Sequence, residues 1–269
     1  MPVGLVLSDI DGTILDDKNF IDPKLPAKLL RLRKMKIPFV LSSARSPEGM
    51  YPIAKKLGIL DNPIACYNGA YVINGLKEKN STVISSHEVK ISELTEIFKI
   101  LNQGYPTVSV NTYSEWKWYV NQPDKWTELE SGITNLEPAV TDLHKFIQKH
   151  PVHKLLLIDS KKVIADLRNT LENVNFAHTS FILSKDNYLE VTNKKASKKE
   201  ALKDLAQYYK VPIENTMTLG DNFNDVPMFK ASGLGVAMAN APEKVQGIAD
   251  KVTLSNNDSG VTAALREYI

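Results

Sequence analysis

A repeated pattern near the two ends of the chain constrains its fold most. A short apolar run is followed by small polar residues and then by a segment of helical periodicity, as in residues 3–8 and 23–35, and again in residues 37–41 and 47–57. Short continuous apolar runs are typical of strands buried on both faces of a parallel sheet. Strands that alternate with helices are joined by right-handed crossovers. The pattern therefore predicts an α/β fold with a doubly wound parallel sheet.

The middle of the chain has a different pattern. Between about residues 85 and 186, strand-like segments follow one another in adjacent pairs instead of alternating with helices. Such pairs are typical of an antiparallel sheet in an α+β module. Because the first pattern returns afterwards, we predict a Rossmann-like core formed by residues 1–84 and 187–269. Residues 85–186 would then be an inserted α+β module.

The composition excludes several classes of protein. The 33 basic and 31 acidic residues give a net charge of +2, which offers no electrostatic basis for binding nucleic acid. The single cysteine, Cys66, excludes a scaffold of internal disulfides. No apolar run is long enough to span a bilayer, and the apolar N-terminus lacks the basic start of a signal peptide. We expect a cytoplasmic protein, monomeric or weakly dimeric, with neither nucleic acid nor membrane as a partner.

Four polar clusters follow predicted strands or begin a helix: residues 9–13, 42–45, 194–199 and 220–225. In an open parallel sheet, ligands bind beyond the carboxyl ends of the strands. Asp9 and Asp11 are only two residues apart, and carboxylates this close are costly without a cation, which indicates Mg²⁺. Each cluster alone has a simpler interpretation as a polar turn, a helix N-cap or a solvated lysine-rich face. Together they offer the nucleophile, metal ligands and donors that phosphoryl transfer needs.

These motifs occur in a characteristic order: Asp9-Ile10-Asp11-Gly12-Thr13, Ser43, Lys198 and Gly220-Asp221-Asn222-Phe223-Asn224-Asp225. Asn68-Gly69-Ala70 and Asn240-Ala241-Pro242 are supporting matches. On these residues the sequence resembles, along its whole length, the haloacid dehalogenase superfamily, and specifically its Cof-type phosphatases with a type-IIB cap. The resemblance implies that the core is catalytic and that the inserted module is a cap that sets substrate specificity.

The resemblance also implies roles for the residues of the first two motifs. Asp9 is the implied nucleophile, which forms an aspartyl-phosphate and binds Mg²⁺. Asp11 is the implied general acid for the leaving alkoxide and then the base for water, and its backbone carbonyl is a further Mg²⁺ ligand. The Ile10 N–H is expected to contact the phosphate. Ser43 stands where the family usually has threonine and Ala44 where it usually has glycine, and both are expected to bind phosphate.

The last two motifs supply the remaining implied roles. Lys198, which the register favours over Lys199, would neutralise the phosphate and Asp9. Asp221 is a further implied Mg²⁺ ligand, and Asn224 is expected to contact phosphate. Asp225 is the implied partner of the metal or of Lys198.

The function implied is Mg²⁺-dependent hydrolysis of a small phosphomonoester, either a sugar phosphate or a similar metabolite. Two alternatives stay open: a phosphomutase or phosphotransferase on the same fold, from which water is excluded, and a non-catalytic metabolite-binding regulator. Arg45 is either a gate to the site or a structural partner, and Asn68 either lines a hinge or only forms a turn. The inserted module holds aromatic residues that either pack its core or stack on a sugar ring: Tyr113, Trp116, Trp118, Tyr119 and Trp126.

Overall fold

The computed structural model describes residues 2–76 and 81–269. The chain forms two compact units, the first made of residues 1–45, 50–85 and 197–269 and the second of residues 46–49 and 86–196. Within the described ranges, no helix combines the length and apolar character needed to cross a bilayer.

The first unit is built on an eight-stranded sheet. Its strands are β1 (Leu5–Ser8), β2 (Phe39–Ser42), β3 (Pro63–Cys66), β4 (Tyr71–Asn74), β5 (Thr82–Ser86), β12 (Thr216–Gly220), β13 (Leu234–Ala237) and β14 (Lys251–Val252). They lie in the order β14-β13-β12-β1-β2-β3-β4-β5. Neighbours from β14 to β3 pair in parallel, and β4 pairs with β3 antiparallel. The predicted parallel α/β sheet is confirmed.

Helices cover the strands of this sheet. They are α1 (Leu25–Lys34), α2 (Pro47–Leu57), α7 (Lys198–Tyr209), α8 (Val226–Phe229), α9 (Glu243–Gln246) and α10 (Gly260–Tyr268). Leu5 and Leu7 of β1 share a buried cluster with Leu202 and Leu205 of α7 and with Phe229 of α8. Because side chains alternate along a strand, the residue between the two leucines faces the other side of the sheet. Both faces of β1 are buried, as its unbroken apolar run predicted.

The second unit is built on a six-stranded sheet. Its strands are β6 (Ser109–Ser114), β7 (Lys117–Val120), β8 (Ala139–Val140), β9 (Lys154–Ile158), β10 (Thr179–Lys185) and β11 (Tyr188–Asn193), in the order β10-β11-β9-β6-β7-β8. Its helices are α3 (Ile91–Gly104), α4 (Lys125–Thr134), α5 (Leu143–Phe146) and α6 (Lys161–Asn173). Apolar side chains of α3, α5 and α6 pack against β9 and β11 in one buried cluster. Most pairs in this sheet are antiparallel, as an α+β module requires.

The structure moves the second boundary of this unit. The predicted boundary after residue 186 falls inside the hairpin of β10 and β11, whereas the first unit resumes at Ser197. β11 belongs to the second unit because it pairs with β10 on one side and β9 on the other. Its apolar pattern shows that it is a buried strand but not which sheet it joins.

Candidate active site

The candidate site lies at the end of β1, where the strand order of the first sheet changes direction. From β1 the chain proceeds to β2 and β3 on one side, and β12 to β14 follow on the other side. β1 and β12 are parallel neighbours, and Ser8 lies opposite Leu219. The residues that follow these two strands, Asp9 and Asp221, therefore emerge side by side. Ligands of open α/β sheets bind at such a switch point.

Lys198 is the buried cation of this site. It begins α7, and the preceding Ser197 caps the helix by accepting a hydrogen bond from the Glu200 N–H at 3.2 Å. Its Nζ lies 2.6 Å from Asp9 Oδ1 and 2.6 Å from Asp225 Oδ1. The Lys198 side chain is only 1% exposed, whereas Lys199 is half-buried. Of these two lysines, Lys198 is therefore the one that the structure places against Asp9.

Asp225 organises the loop that follows β12. Its Oδ2 accepts hydrogen bonds from the backbone N–H groups of Asp221 at 2.9 Å and Asn222 at 3.0 Å, while its Oδ1 is bound by Lys198. Gly220 is required there because a Cβ at that position would overlap the Asp225 carboxylate. Asp225 thus has both oxygens occupied by protein donors and shapes the site through Lys198 and Asp221.

Thr13 and Asn240, for which the sequence predicted no role, also form hydrogen bonds within the site. The Thr13 hydroxyl donates to Asp221 Oδ1 at 2.6 Å, and the Asn240 amide donates to the Gly12 carbonyl at 2.8 Å. Gly12 has a φ of +81°, and a Cβ there would meet the Asp221 carboxylate. These contacts orient Asp221 beside Asp9. Both residues lie within motifs of the resemblance, which is the one signal that could have found them.

Burial controls the electrostatics of the site. It raises the pKa of Asp9 to about 8, because the lowering effect of Lys198 is weaker and Asp225 and Asp221 add to the rise. Burial also raises the pKa of Asp221. For Lys198 burial lowers the pKa, but the charges of Asp9 and Asp225 outweigh it, so the net pKa is raised and the lysine stays protonated.

This donor set fits a divalent cation. Asp9, Asp221 and Asp225 offer oxygens that lie within 4.8 Å of one another. When all three are ionised, Lys198 compensates only one of the three charges, and a divalent ion would balance the remaining two. Because both oxygens of Asp225 are occupied, the carboxylates left to bind a metal are those of Asp9 and Asp221. Oxygen ligands of this kind are those that Mg²⁺ prefers.

Asp11 and Arg45 form a two-point ion pair beside this cluster. Arg45 Nη2 lies 2.6 Å from Asp11 Oδ1, and Arg45 Nε lies 3.0 Å from Oδ2. The Asp11 side chain is half exposed, unlike Asp9. Arg45, for which the sequence left two roles open, is therefore a direct partner of the predicted acid and base.

Ser43, in the second motif, lies close to Asp11, whereas the Asn224 side chain forms no hydrogen bond with the other predicted site residues that the structure describes. Ser43 follows β2, and its hydroxyl lies 3.5 Å from Asp11 Oδ2. Ala44 is half-buried between Ser43 and Arg45. Asn224 is exposed, and its side chain makes no hydrogen bond to any residue within 2–76 and 81–269. A phosphate contact by Asn224 stays a prediction.

Most aromatic residues of the second unit pack its interior. Trp118 is buried and donates its indole N–H to Asn111 Oδ1 at 3.0 Å, and Tyr113 stacks on it with ring centroids 6.0 Å apart. Tyr119 packs against Phe146. Trp116 and Trp126 are only half-buried. The packing role holds for Tyr113, Trp118 and Tyr119.

Comparison with known families decides the family of this chain. The profile of the haloacid dehalogenase-like hydrolases matches residues 6–265. The chain belongs to this family. A protein from Haemophilus influenzae, whose name provisionally calls it a phosphatase, is 33% identical over 97% of each chain. The pyridoxal phosphate phosphatase of Escherichia coli is 23% identical, and the alignment covers 100% of both chains.

Solved structures agree with this membership of the haloacid dehalogenase-like hydrolases. A protein from Thermotoga maritima is 29% identical and superimposes with a TM-score of 0.90 over 98% of this chain and 97% of its own. A sugar phosphatase of subclass IIB has the same fold, with 18% identity and a TM-score of 0.78 over 99% of each chain. The family and the subclass-IIB fold inferred from the motifs are confirmed.

Proposed function

We propose that this chain is a Mg²⁺-dependent phosphatase that hydrolyses small phosphomonoesters through an aspartyl-phosphate on Asp9. The observation that carries the proposal is the buried triad in which Lys198 bridges Asp9 and Asp225 next to Asp221. A carboxylate nucleophile held by one lysine, with room for a divalent cation, suits transfer of a phosphoryl dianion.

Asp9 attacks phosphorus in the first step. Lys198 orients the Asp9 carboxylate through Oδ1, at 2.6 Å. A bond from one carboxylate oxygen to phosphorus forms while the bond from phosphorus to the ester oxygen breaks, and the other carboxylate oxygen is left for the metal. Asp11 donates a proton to the leaving alkoxide, then removes one from the water that hydrolyses the aspartyl-phosphate. Inorganic phosphate leaves and the Asp9 carboxylate is regenerated.

The other residues hold the phosphoryl group or the metal. Ser43 and the backbone N–H groups of Ile10 and Ala44 would donate to phosphoryl oxygens, together with Lys198. Asp9, Asp221 and the Asp11 carbonyl would hold the metal. When bound there, Mg²⁺ supplies positive charge to the phosphoryl oxygens and to the attacking carboxylate.

The ion pair of Asp11 and Arg45 leaves Asp11 able to transfer a proton. Both Asp11 oxygens are bound by Arg45, at 2.6 and 3.0 Å. A carboxylate has about four lone-pair sites, and these two contacts occupy two of them. Because the pair is half-exposed, it can also separate at little cost when Asp11 moves toward the leaving group.

The substrate belongs to the small phosphorylated metabolites in this proposal. One relative is named for the hydrolysis of pyridoxal phosphate, which is a small soluble phosphomonoester. The second unit, with its own sheet and core, would act as the specificity cap. A cytoplasmic location completes the proposal, and a chain whose single cysteine, Cys66, leaves it without an internal disulfide is typical of that compartment.

A phosphate-release assay over a panel of metabolites tests this function. We expect release with Mg²⁺, none after EDTA, recovery when Mg²⁺ is added back and poor recovery with Ca²⁺, because Ca²⁺ favours more ligands at longer distances. Asp221→Ala should raise the Mg²⁺ requirement or abolish turnover, while the exposed Asp186→Ala should match wild type.

Each alternative predicts a different result in the same assay. A phosphomutase or phosphotransferase would move the phosphoryl group without releasing inorganic phosphate. A metabolite-binding regulator would bind panel members and turn none over. Full turnover in metal-free buffer would overturn the metal assignment.

A further inference from the structure

Asn68 lies directly beside the proposed phosphate ligand Ser43. It follows β3, the neighbour of β2 in the sheet. The Asn68 N–H donates to the Ser43 carbonyl at 2.8 Å, and the Ser43 N–H donates to the Ala65 carbonyl at 3.0 Å. Ser43 is thus held from both sides by the segment that carries Asn68.

The backbone of this segment is held in an unusual conformation. Tyr67, Asn68 and Gly69 have φ values of 53°, 55° and 96°. A Cβ on Gly69 would overlap the Ser197 carbonyl, so this segment also packs closely against the start of the helix that carries Lys198. Consecutive left-handed residues are strained for side chains other than glycine, and such strain clusters at functional sites. Asn68 is therefore placed by contacts to the segments of both Ser43 and Lys198.

The Asn68 side chain is a polar group that the protein does not satisfy. Its amide oxygen is buried without a hydrogen-bond partner, and its side chain makes no hydrogen bond anywhere in the described chain. The residue as a whole is half-buried. Buried polar atoms in folded proteins are nearly always paired, so a group of this kind calls for a partner from outside the chain.

We propose that the Asn68 carboxamide binds a hydroxyl group of the substrate, which makes Asn68 a specificity residue for sugar and polyol phosphates. This inference rests on the proposed phosphatase function. A carboxamide has one acceptor and one donor group. A phosphoryl dianion offers acceptors only, whereas a hydroxyl offers both a donor and an acceptor. A hydroxyl on the carbon chain next to the ester can therefore accept from the amide N–H and donate to the amide oxygen, once rotation about the Cβ–Cγ bond turns the buried oxygen toward the substrate.

Two substrates and two glycine variants test this inference. Glycerol 3-phosphate and n-propyl phosphate have the same carbon number, and only the first has hydroxyls. Asn68→Gly removes the carboxamide and keeps the left-handed backbone. Asn135→Gly is the matched control, because Asn135 has a φ of 56° at the end of α4 in the second unit.

We expect Asn68→Gly to lower kcat/KM for glycerol 3-phosphate about tenfold, the loss of one hydrogen bond, and for n-propyl phosphate less than about twofold. Asn135→Gly should leave both values unchanged, and all variants should keep the wild-type Tm within a few degrees.

The remaining outcomes each count against a specific claim. Unchanged kinetics for Asn68→Gly would show that Asn68 only forms a turn. Equal losses on both substrates would place the contact on the phosphoryl group and overturn the hydroxyl assignment. If wild-type protein releases phosphate from neither these esters nor the metabolite panel, the proposed function itself fails, and the specificity role fails with it.

Discussion

At the scale of single residues, burial separates the two aspartates of the first motif. Asp9 is 6% exposed, whereas Asp11 lies half exposed against Arg45. Lys198 is held between two carboxylates in this interior, where an unpaired charge would be very costly. The two aspartates therefore suit different tasks: Asp9 is held rigidly for attack, and Asp11 can move with its proton.

Replacing the proposed nucleophile tests this division. Asp9→Asn should reduce phosphate release by about 10⁴-fold or more, because a carboxamide cannot accept the phosphoryl group. The fold should survive, since the amide has nearly the same shape and its oxygen can still accept from Lys198. Phosphate release and circular dichroism measure the two effects, and Asp186→Asn controls for the loss of a carboxylate. Turnover above about a tenth of wild type would remove Asp9 from the mechanism.

At the scale of elements, three chain segments of the second unit meet at His153. This histidine precedes β9, and its N–H donates to the Tyr113 carbonyl at 2.9 Å. The Glu115 N–H, in the turn between β6 and β7, donates to Nδ1 at 3.0 Å. Nε2 therefore carries the proton and donates to the Ser86 hydroxyl at 3.0 Å, and Ser86 in turn donates to Glu88. The network uses a neutral imidazole.

Acid should weaken this junction. Burial is the main cause that lowers the pKa of His153 from 6.5 to about 4. Between these values the unfolded chain binds a proton that the folded chain does not, so the free energy of unfolding falls as the pH falls. Between pH 7 and pH 5, His153 should lower the free energy of unfolding by about 2 kcal/mol.

Urea unfolding at pH 7 and pH 5 measures this loss. His153→Gln should lose less stability than wild type between the two pH values, and the exposed His178→Gln should lose as much as wild type. Equal losses in all three proteins would contradict the assignment.

At the scale of the whole molecule, the proposed function divides chemistry and specificity between the two units. Every residue of the proposed mechanism lies in the first unit, and the second has its own sheet and apolar core. In the proposed function, the second unit selects the leaving group. The tryptophans of this unit differ in burial: Trp118 is buried and hydrogen-bonded, whereas Trp116 is half-buried.

A pair of tryptophan variants tests the specificity role. Trp116→Ala should change kcat/KM unevenly across the metabolite panel with little change in Tm. Trp118→Ala should lower stability by about 3–5 kcal/mol, because it removes a large buried ring. Equal changes in kcat/KM on all substrates for Trp116→Ala would contradict recognition by this residue.

Much of this molecule can be predicted from local sequence. The helix Pro47–Leu57 matches the segment of helical periodicity predicted over residues 47–57, because apolar periodicity reports which side of a helix is buried. The motifs likewise determine the family and the order of the chemical groups, since residue type sets what a side chain can donate, accept or attack with.

Only the tertiary structure decides which of these groups meet. Asp9 and Asp221 become neighbours because β1 pairs with β12, and no local pattern specifies that pairing. The same is true of Lys198 between Asp9 and Asp225, of Arg45 on Asp11, and of β11 joining the second sheet rather than the first. The physical reason is that strand pairing and burial depend on the whole sheet, whereas periodicity depends only on the residues within one element.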